Sequence, residues 1–215
     1  MKRIFFILAL AFLSQACSTI ELNPSAKTDK IYQNKINKKT VAIVAPVPFQ
    51  QYVASGKLIT GDFYTKSNVR VSLGEPLTEA VYKKLRATIN DVKIGTTLEH
   101  DKTNLTVILG LPELKIHVGT DANIDTIWNG VFVFSGAISA AMNDVVSAAL
   151  ITMDIEVIDG DSAPKTITIE GKGIKSVGYY SFREQHMTLS IENAIADLAT
   201  NLATELSLVL NEEAK

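Results

Sequence analysis

The first 17 residues constrain this chain more than any later stretch. It starts with the basic tripeptide MKR, and an uninterrupted run of ten apolar residues follows from Ile4 to Leu13. Small residues and the single cysteine of the chain, Cys17, close the run. This pattern is typical of a secretory signal, and the apolar run is too short to span a bilayer as a helix. The sequence therefore predicts an exported protein that folds without disulfides, because no second cysteine is present.

The segment from Leu13 to Cys17 resembles the bacterial lipobox, with Ala16 at the small position before the cysteine. The resemblance implies a signal peptide over residues 1–16 and a Cys17 that is acylated with palmitate-like chains. Two or three acyl chains hold a protein on a membrane, since each buried methylene contributes about 0.8 kcal/mol. Ser18, in place of Asp, favours the periplasmic face of the outer membrane by the same resemblance, and leaves the inner membrane and cell surface open. An ordinary signal peptide cut near Ala16 is the alternative.

Composition after the signal predicts one domain of ordinary size. About 199 residues follow residue 16, which is enough for one hydrophobic core. The whole chain has 21 Lys and Arg against 23 Asp and Glu. This balance indicates neither a basic nucleic-acid-binding face nor an acidic tail.

Residues 17–39 are predicted to be a lipidated N-terminus and flexible tether. The stretch from Ser18 to Lys39 is rich in Lys, Asn and Ser and has few aliphatic residues. Such a composition buries too little apolar surface to offset the entropy of ordering. The periplasmic α/β domain is accordingly expected over residues 40–215.

Hydrophobic periodicity within this domain predicts several strands and two amphipathic helices. Apolar residues at helical spacing place one helix over about Glu75 to Thr88 and another over about Ser190 to Asn211, capped by Ser190. Alternating apolar residues predict a hairpin over 151–157 and 166–170. Other strands are predicted at residues 41–47, 69–73, 91–97, 105–111 and 114–118. The expected fold class is α+β, an α/β sandwich with one mixed, largely antiparallel sheet and two main helices on one face.

Signal, lipobox, strands, hairpin and final helix together resemble the layout of small periplasmic lipoproteins. The local resemblance lies in Gly74–Lys84 (GEPLTEAVYKK) and Ala149–Gly160, within a layout that extends from Thr40 to Leu210. The families concerned are the lipopolysaccharide-assembly, YajG-type and curli-secretion lipoproteins and the auxiliary lipoproteins of ABC transport systems. No single motif distinguishes one of these families from the others. The resemblance implies an accessory subunit of an envelope transport, secretion or assembly system.

The segment from Ile127 to Leu150 has three competing interpretations. It contains no Lys, Arg or Glu and one acid, Asp144, and it carries Trp128, Phe132 and Phe134 near its start. It is a core strand followed by a buried Ala-rich helix or loop, a surface for a partner or a second copy, or a membrane-dipping segment. A transmembrane helix is disfavoured, because a charge near the middle of a span is costly.

Catalytic and metal-binding patterns are missing from the sequence. The histidines, His100, His117 and His186, are not at metal-ligand spacing. There is no nucleophile elbow and no phosphate-binding glycine loop. We therefore expect no enzyme, no cofactor and no metal.

The aromatic stretch after the hairpin supplies the other candidate contact residues, since Tyr and Arg are enriched at binding hot spots. A loop that packs its rings on the sheet is the alternative. The full set of candidate partner contacts is Trp128, Phe132, Phe134, Tyr179, Tyr180 and Arg183. The sequence thus predicts a lipid-anchored membrane protein that binds an envelope protein or a second copy of itself, and no nucleic acid. The alternative is a carrier that holds a lipid or glycan in an apolar cavity between sheet and helices.

Overall fold

The computed structural model describes residues 19–26, 40–57, 59–60, 68–97, 105–120 and 144–212. The helices are α1 (Val47–Gln50), α2 (Gly74–Thr88) and α3 (Glu184–Glu212), and a short 3-10 turn covers Tyr179–Ser181. The strands are β1 (Thr19–Leu22), β2 (Val41–Val44), β3 (Val53–Lys57), β4 (Ile59–Thr60), β5 (Asn68–Ser72), β6 (Val92–Gly95), β7 (Leu105–Leu109), β8 (Glu113–Thr120), β9 (Asp144–Asp159) and β10 (Lys165–Gly178).

The larger sheet is built around the long hairpin of β9 and β10. Its strands are connected in the order β4-β8-β9-β7-β2-β6, and β10 pairs with the edge of β9 that faces away from β7 and β8. β7 and β8 both run antiparallel to β9, one after the other along the same edge. β2 is parallel to both of its neighbours, β6 and β7. The predicted hairpin is confirmed, and it extends over 16 and 14 residues, further than the alternating pattern indicated.

A glycine joins β7 to β8 where the two strands meet along β9. The Gly110 amide donates a hydrogen bond of 3.0 Å to the Asp154 carbonyl. A Cβ atom at Gly110 would lie 2.5 Å from that carbonyl oxygen. The close backbone approach therefore requires glycine here.

A second, three-stranded sheet has the order β1-β5-β3. β1 is parallel to β5, and β3 is antiparallel to it. The α+β class is confirmed, whereas the expectation of one sheet is wrong. The sequence pattern does not show which strands pair, and pairing divides these strands between two sheets.

The tether prediction is wrong for Thr19–Leu22, which is strand β1. Ile20 and Leu22 are buried at 6% and 3% exposure, whereas Thr19 and Glu21 are exposed. This alternation is the period of a half-buried strand. Four residues carry it, too few to alter the polar composition of the surrounding stretch. Folded structure therefore starts before Thr40.

The first long helix is confirmed, with its apolar stripe of Leu77, Val81 and Leu85 fully buried. The second begins at Glu184, six residues before the predicted start. Ser190 is not its cap: this fully buried residue donates to the Met187 carbonyl at 2.8 Å, and its Oγ lies 2.9 Å from Oγ of Ser147. α3 lies across β9 and β10 and contacts α2.

Candidate functional site

Several of the predicted site residues lie outside the described residues. These are Cys17, Trp128, Phe132 and Phe134. The segment that carries the three aromatic residues reaches the described part of the chain at Asp144. Its last residues, 144–150, form the start of β9, and 145–150 are buried. An Ala-rich helix or loop is therefore wrong for that part, because cross-strand pairing to β8 and β10 takes up its backbone.

The other predicted contacts lie on residues 178–183, from the last residue of β10 to the residue before α3, and we call this stretch the Tyr180 turn. Tyr179 and Tyr180 belong to the 3-10 turn, and Tyr180 is 89% exposed. Phe182 points the other way and is buried at 8% exposure in the core cluster. Each interpretation of this stretch therefore applies to a different residue. Phe182 packs its ring on the core, and Tyr180 is exposed as a contact residue would be.

Hydrogen bonds within the Tyr180 turn fix its shape. The Arg183 guanidinium Nη1 donates to the carbonyl oxygens of Tyr180 at 3.2 Å and Phe182 at 2.6 Å. The Arg183 amide donates to Nδ1 of His186 at 2.9 Å, and the His186 amide donates back to the Arg183 carbonyl at 2.9 Å. This reciprocal pair closes the first turn of α3 in the manner of a capping box. Arg183 therefore shapes the backbone beside the exposed ring.

The Phe182 and His186 rings add apolar support beneath the turn. Their centroids are 5.8 Å apart, with the ring planes tilted by 35°. Both side chains are buried, and His186 is the third residue of α3. The exposed ring of Tyr180 therefore rises from a backbone that is tied to the core on one side and to the helix on the other.

The register of the larger sheet places the Tyr180 turn at one end of the hairpin. Gly178, the last residue of β10, pairs with Asp144, the first residue of β9. Thr120 at the end of β8 pairs with Val145. The end of β8, the start of β9 and the Tyr180 turn therefore lie at the same end of the sheet, and residues 121–143 connect two of them along the chain.

A small cleft lies between the two sheets. It has a volume of about 20 Å³ and lies between β3 and β5 on one side and β8 on the other. The lining residues are Ala54, Ser55, Gly56, Val69, Val71, Leu114 and Ile116. Ligand sites for small molecules commonly hold about 300–1,000 Å³. The cleft is below that range.

The interface between helix and sheet is filled in the described part. Ile191, Leu198 and Leu202 of α3 are fully buried, as are Ile151 and Ile155 of β9. These residues belong to one hydrophobic core cluster. In the described residues, protein side chains therefore fill the space between helix and sheet.

The described part of the chain shows no cluster of metal-ligating side chains. No group of three or more His, Cys, Asp or Glu residues that could hold a metal occurs there. His117 is fully buried and His186 lies in the first turn of α3, beside the Tyr180 turn, whereas His100 lies outside the described residues. None of the helices within the described ranges is long and apolar enough to cross a membrane.

The polar side of α3 holds residues that the sequence reasoning missed. Nδ2 of Asn193 donates to the Ile174 carbonyl at 3.1 Å, and Nδ2 of Asn201 donates to the Glu170 carbonyl at 2.8 Å. Between them, Asp197 accepts a bond of 2.9 Å from the amide of Lys172. The three residues recur every fourth position, and this spacing beside the apolar stripe was the available signal.

No protein-family model matches the sequence, and no curated protein matches it. Among solved structures, the chain is similar to a Xanthomonas campestris protein of the family DUF330, at 9% identity and a TM-score of 0.45, over 92% of this chain and 98% of that one. It is also similar to a homologue of neuraminyllactose-binding hemagglutinin from Helicobacter pylori, at 11% identity and a TM-score of 0.46, over 90% and 96%. A third similarity is to rare lipoprotein B from Shewanella oneidensis, at 14% identity and a TM-score of 0.40, over 80% and 98%. At these TM-scores the similarities assign neither fold family nor function.

Proposed function

We propose that this protein is a lipid-anchored envelope lipoprotein that binds another envelope protein through the Tyr180 turn. In this proposal Cys17 carries the acyl chains, and the domain is a non-enzymatic accessory subunit of a transport, secretion or assembly system on the periplasmic face of the outer membrane. The N-terminal signal and lipobox pattern supports the anchor. The observation that carries the binding function is the exposure of the Tyr180 ring, 89%, on a turn of fixed shape.

An exposed tyrosine on a fixed turn suits partner binding for two energetic reasons. A tyrosine ring supplies a large contact area, and such residues dominate the binding energy of interfaces. Ordering a loop on binding costs affinity, and a turn already held by Arg183 and His186 avoids much of that cost. The arrangement therefore supports a contact site more directly than an exposed apolar residue elsewhere on the surface.

The carrier alternative has less support. A carrier of lipid or glycan between sheet and helices requires a cavity there, whereas α3 fills that interface with Leu198 and Leu202. The small cleft of about 20 Å³ lies instead between the two sheets. We therefore favour a protein partner.

Site-specific photo-crosslinking in cells tests this proposal. A photoreactive phenylalanine analogue replaces Tyr180 in the full-length chain, and Leu111, which is 57% exposed on the link between β7 and β8, receives the same analogue as the matched control. We expect a discrete adduct from position 180, identified by mass spectrometry as an envelope protein or a second copy of this chain. Position 111 is expected to give none.

A second variant connects the adduct to the shape of the turn. Arg183→Ala removes the guanidinium that holds the Tyr180 and Phe182 carbonyls, so the adduct from position 180 should weaken while the melting temperature changes little. Equal adducts from positions 180 and 111, or none from position 180, would contradict the proposed contact.

A further inference from the structure

The chain leaves almost no distance between the proposed lipid anchor and the folded domain. Ser18 alone separates Cys17 from Thr19, the first residue of β1. An extended chain advances at most about 3.6 Å per residue. The Cα atoms of Cys17 and Thr19 are therefore within about 7 Å of each other.

β1 is an integral part of the domain. All four of its residues pair with β5, from Thr19 opposite Asn68 to Leu22 opposite Val71. Ile20 and Leu22 are buried in the core cluster. Just after the strand, the backbone amide and the hydroxyl of Ser25 both donate to Oε1 of Glu192 on α3, at 3.0 and 2.7 Å. Pairing with β5 holds β1 along its length, and the Ser25 bonds hold the chain just after it, so β1 does not act as a flexible linker.

We propose that the end of the three-stranded sheet that begins with Thr19 lies directly against the lipid bilayer. This inference depends on the proposed acylation of Cys17. Acyl chains in the hydrocarbon core place that cysteine at the inner boundary of the headgroup layer, which is about 5–7 Å thick on each side of a bilayer. A residue within about 7 Å of Cys17 then lies in this layer or on its surface. The proposed partner of this end is a phospholipid headgroup surface.

The residue types at this end suit a headgroup surface. The first row of the sheet consists of Thr19, Asn68 and Lys57, which occupy adjacent register positions. The row contains no acidic residue that anionic headgroups would repel. The nearest carboxylate on β1, Glu21, is 3.6 Å from Nη1 of Arg70, which offsets its charge.

A depth measurement on the acylated protein in vesicles tests this seating. Acylation uses the sulfur of the only native cysteine, so an introduced cysteine is the single free thiol for a fluorophore. Asn68→Cys places the probe in the first row of the sheet, and Ser162→Cys places it in the exposed turn between β9 and β10 as the control. The control turn is far from the point where β4 pairs with β8. That point lies opposite Ala148 of β9, and Asp159, just before the turn, is eleven residues further along β9, which is roughly 36 Å of strand.

The vesicles consist of phosphatidylethanolamine and phosphatidylglycerol, with and without a lipid that carries a spin-label quencher on its headgroup. We expect the quencher lipid to remove at least about half of the fluorescence at position 68, because the probe lies within the layer of about 5–7 Å that holds the quencher. The probe at position 162 should lose almost none.

A linker variant confirms the cause of the quenching. A Gly/Ser insert of about twelve residues between Ser18 and Thr19 spans roughly 20 Å as a flexible coil, so it should abolish quenching at position 68 without unfolding the domain. Protein that floats with the vesicles but shows no quenching at position 68 would overturn the seating alone. Protein that does not float with them would overturn the lipid anchor and the seating together.

Discussion

At the scale of single residues, Gly171 and Gly173 allow α3 to lie directly on β10. A Cβ atom at Gly173 would lie 1.9 Å from the Ser190 carbonyl oxygen, and one at Gly171 would lie 2.1 Å from the Ala194 carbonyl oxygen. Both contacts are with helix backbone, which cannot move aside as a flexible side chain can. The missing side chains therefore set the spacing between helix and sheet.

Substitution of Gly173 by alanine should accordingly destabilise the protein. Overpacking of a filled interior costs about 1–3 kcal/mol, which lowers the melting temperature of a chain of this size by several degrees. Gly178→Ala on the same strand is the matched control, since no atom lies within 4 Å of a Cβ built there. Thermal unfolding followed by circular dichroism compares the two. Equal melting temperatures would mean that helix and strand are further apart than described.

At the scale of secondary structure, α3 covers the outer edge of β10. Strand edges expose unpaired backbone groups that invite pairing with other chains. Asn193, Asp197 and Asn201 lie at intervals of four residues on α3, and each bonds to a backbone group of a different residue of β10, at every second position from Glu170 to Ile174. The helix therefore both packs on the hairpin and closes part of its edge.

Asp197→Ala should weaken this edge. It leaves the partly buried Lys172 amide without its carboxylate acceptor, and such a loss costs about 1–3 kcal/mol. Glu205→Ala, an exposed position on the same helix, should change stability by no more than about 0.5 kcal/mol. Chemical denaturation measures both free energies of unfolding. An Asp197 variant as stable as the Glu205 variant would show that the carboxylate contributes nothing to closing the edge.

Elements with long, regular periodicity were predictable from the sequence. α2 needed only the apolar spacing of Leu77, Val81 and Leu85, and the hairpin needed the alternation around Gly160. β1 was missed because its alternation covers four residues within a polar stretch. The start of β9 was missed because residues 145–150 are buried on both faces, and such a run has no period that distinguishes strand from helix.

The candidate site was predictable by residue type but not by geometry. The sequence singled out Tyr180 and Arg183, and the structure brings them together on one turn. It gave no means to see that the Phe182 ring is buried while the Tyr180 ring is exposed. That difference depends on how the turn is placed against the core. The placement is decided by the pairing of β10 with β9, whose first residue, Asp144, is distant in sequence from the turn.

At the scale of the whole molecule, the N-terminal strand connects the proposed anchor, the small sheet and the last helix. Ile20 is buried against the core, and Ser25 bonds to Glu192 near the start of α3. A strand in this position contributes to stability, and under the proposed acylation of Cys17 it also orients the domain on the membrane. The folded domain therefore includes Thr19–Leu22.

Ile20→Ala tests whether β1 contributes to the fold. Truncation of a buried isoleucine costs about 2–5 kcal/mol, so the melting temperature of the full-length protein in detergent should fall clearly. Thr19→Ala, an exposed residue of the same strand, should leave it nearly unchanged. If the two variants melted together, β1 would not be a structural part of the domain.

The central claim is that Cys17 anchors this domain to a membrane through lipid. Metabolic labelling with a palmitate analogue, compared between the native chain and Cys17→Ser, tests it most directly, because the chain has no other thiol to acylate. The account predicts label in the membrane fraction for the native protein and none for the serine variant, which should be released from the membrane or stay unprocessed. Label that persists in the serine variant, or a native protein that carries none, would contradict the account.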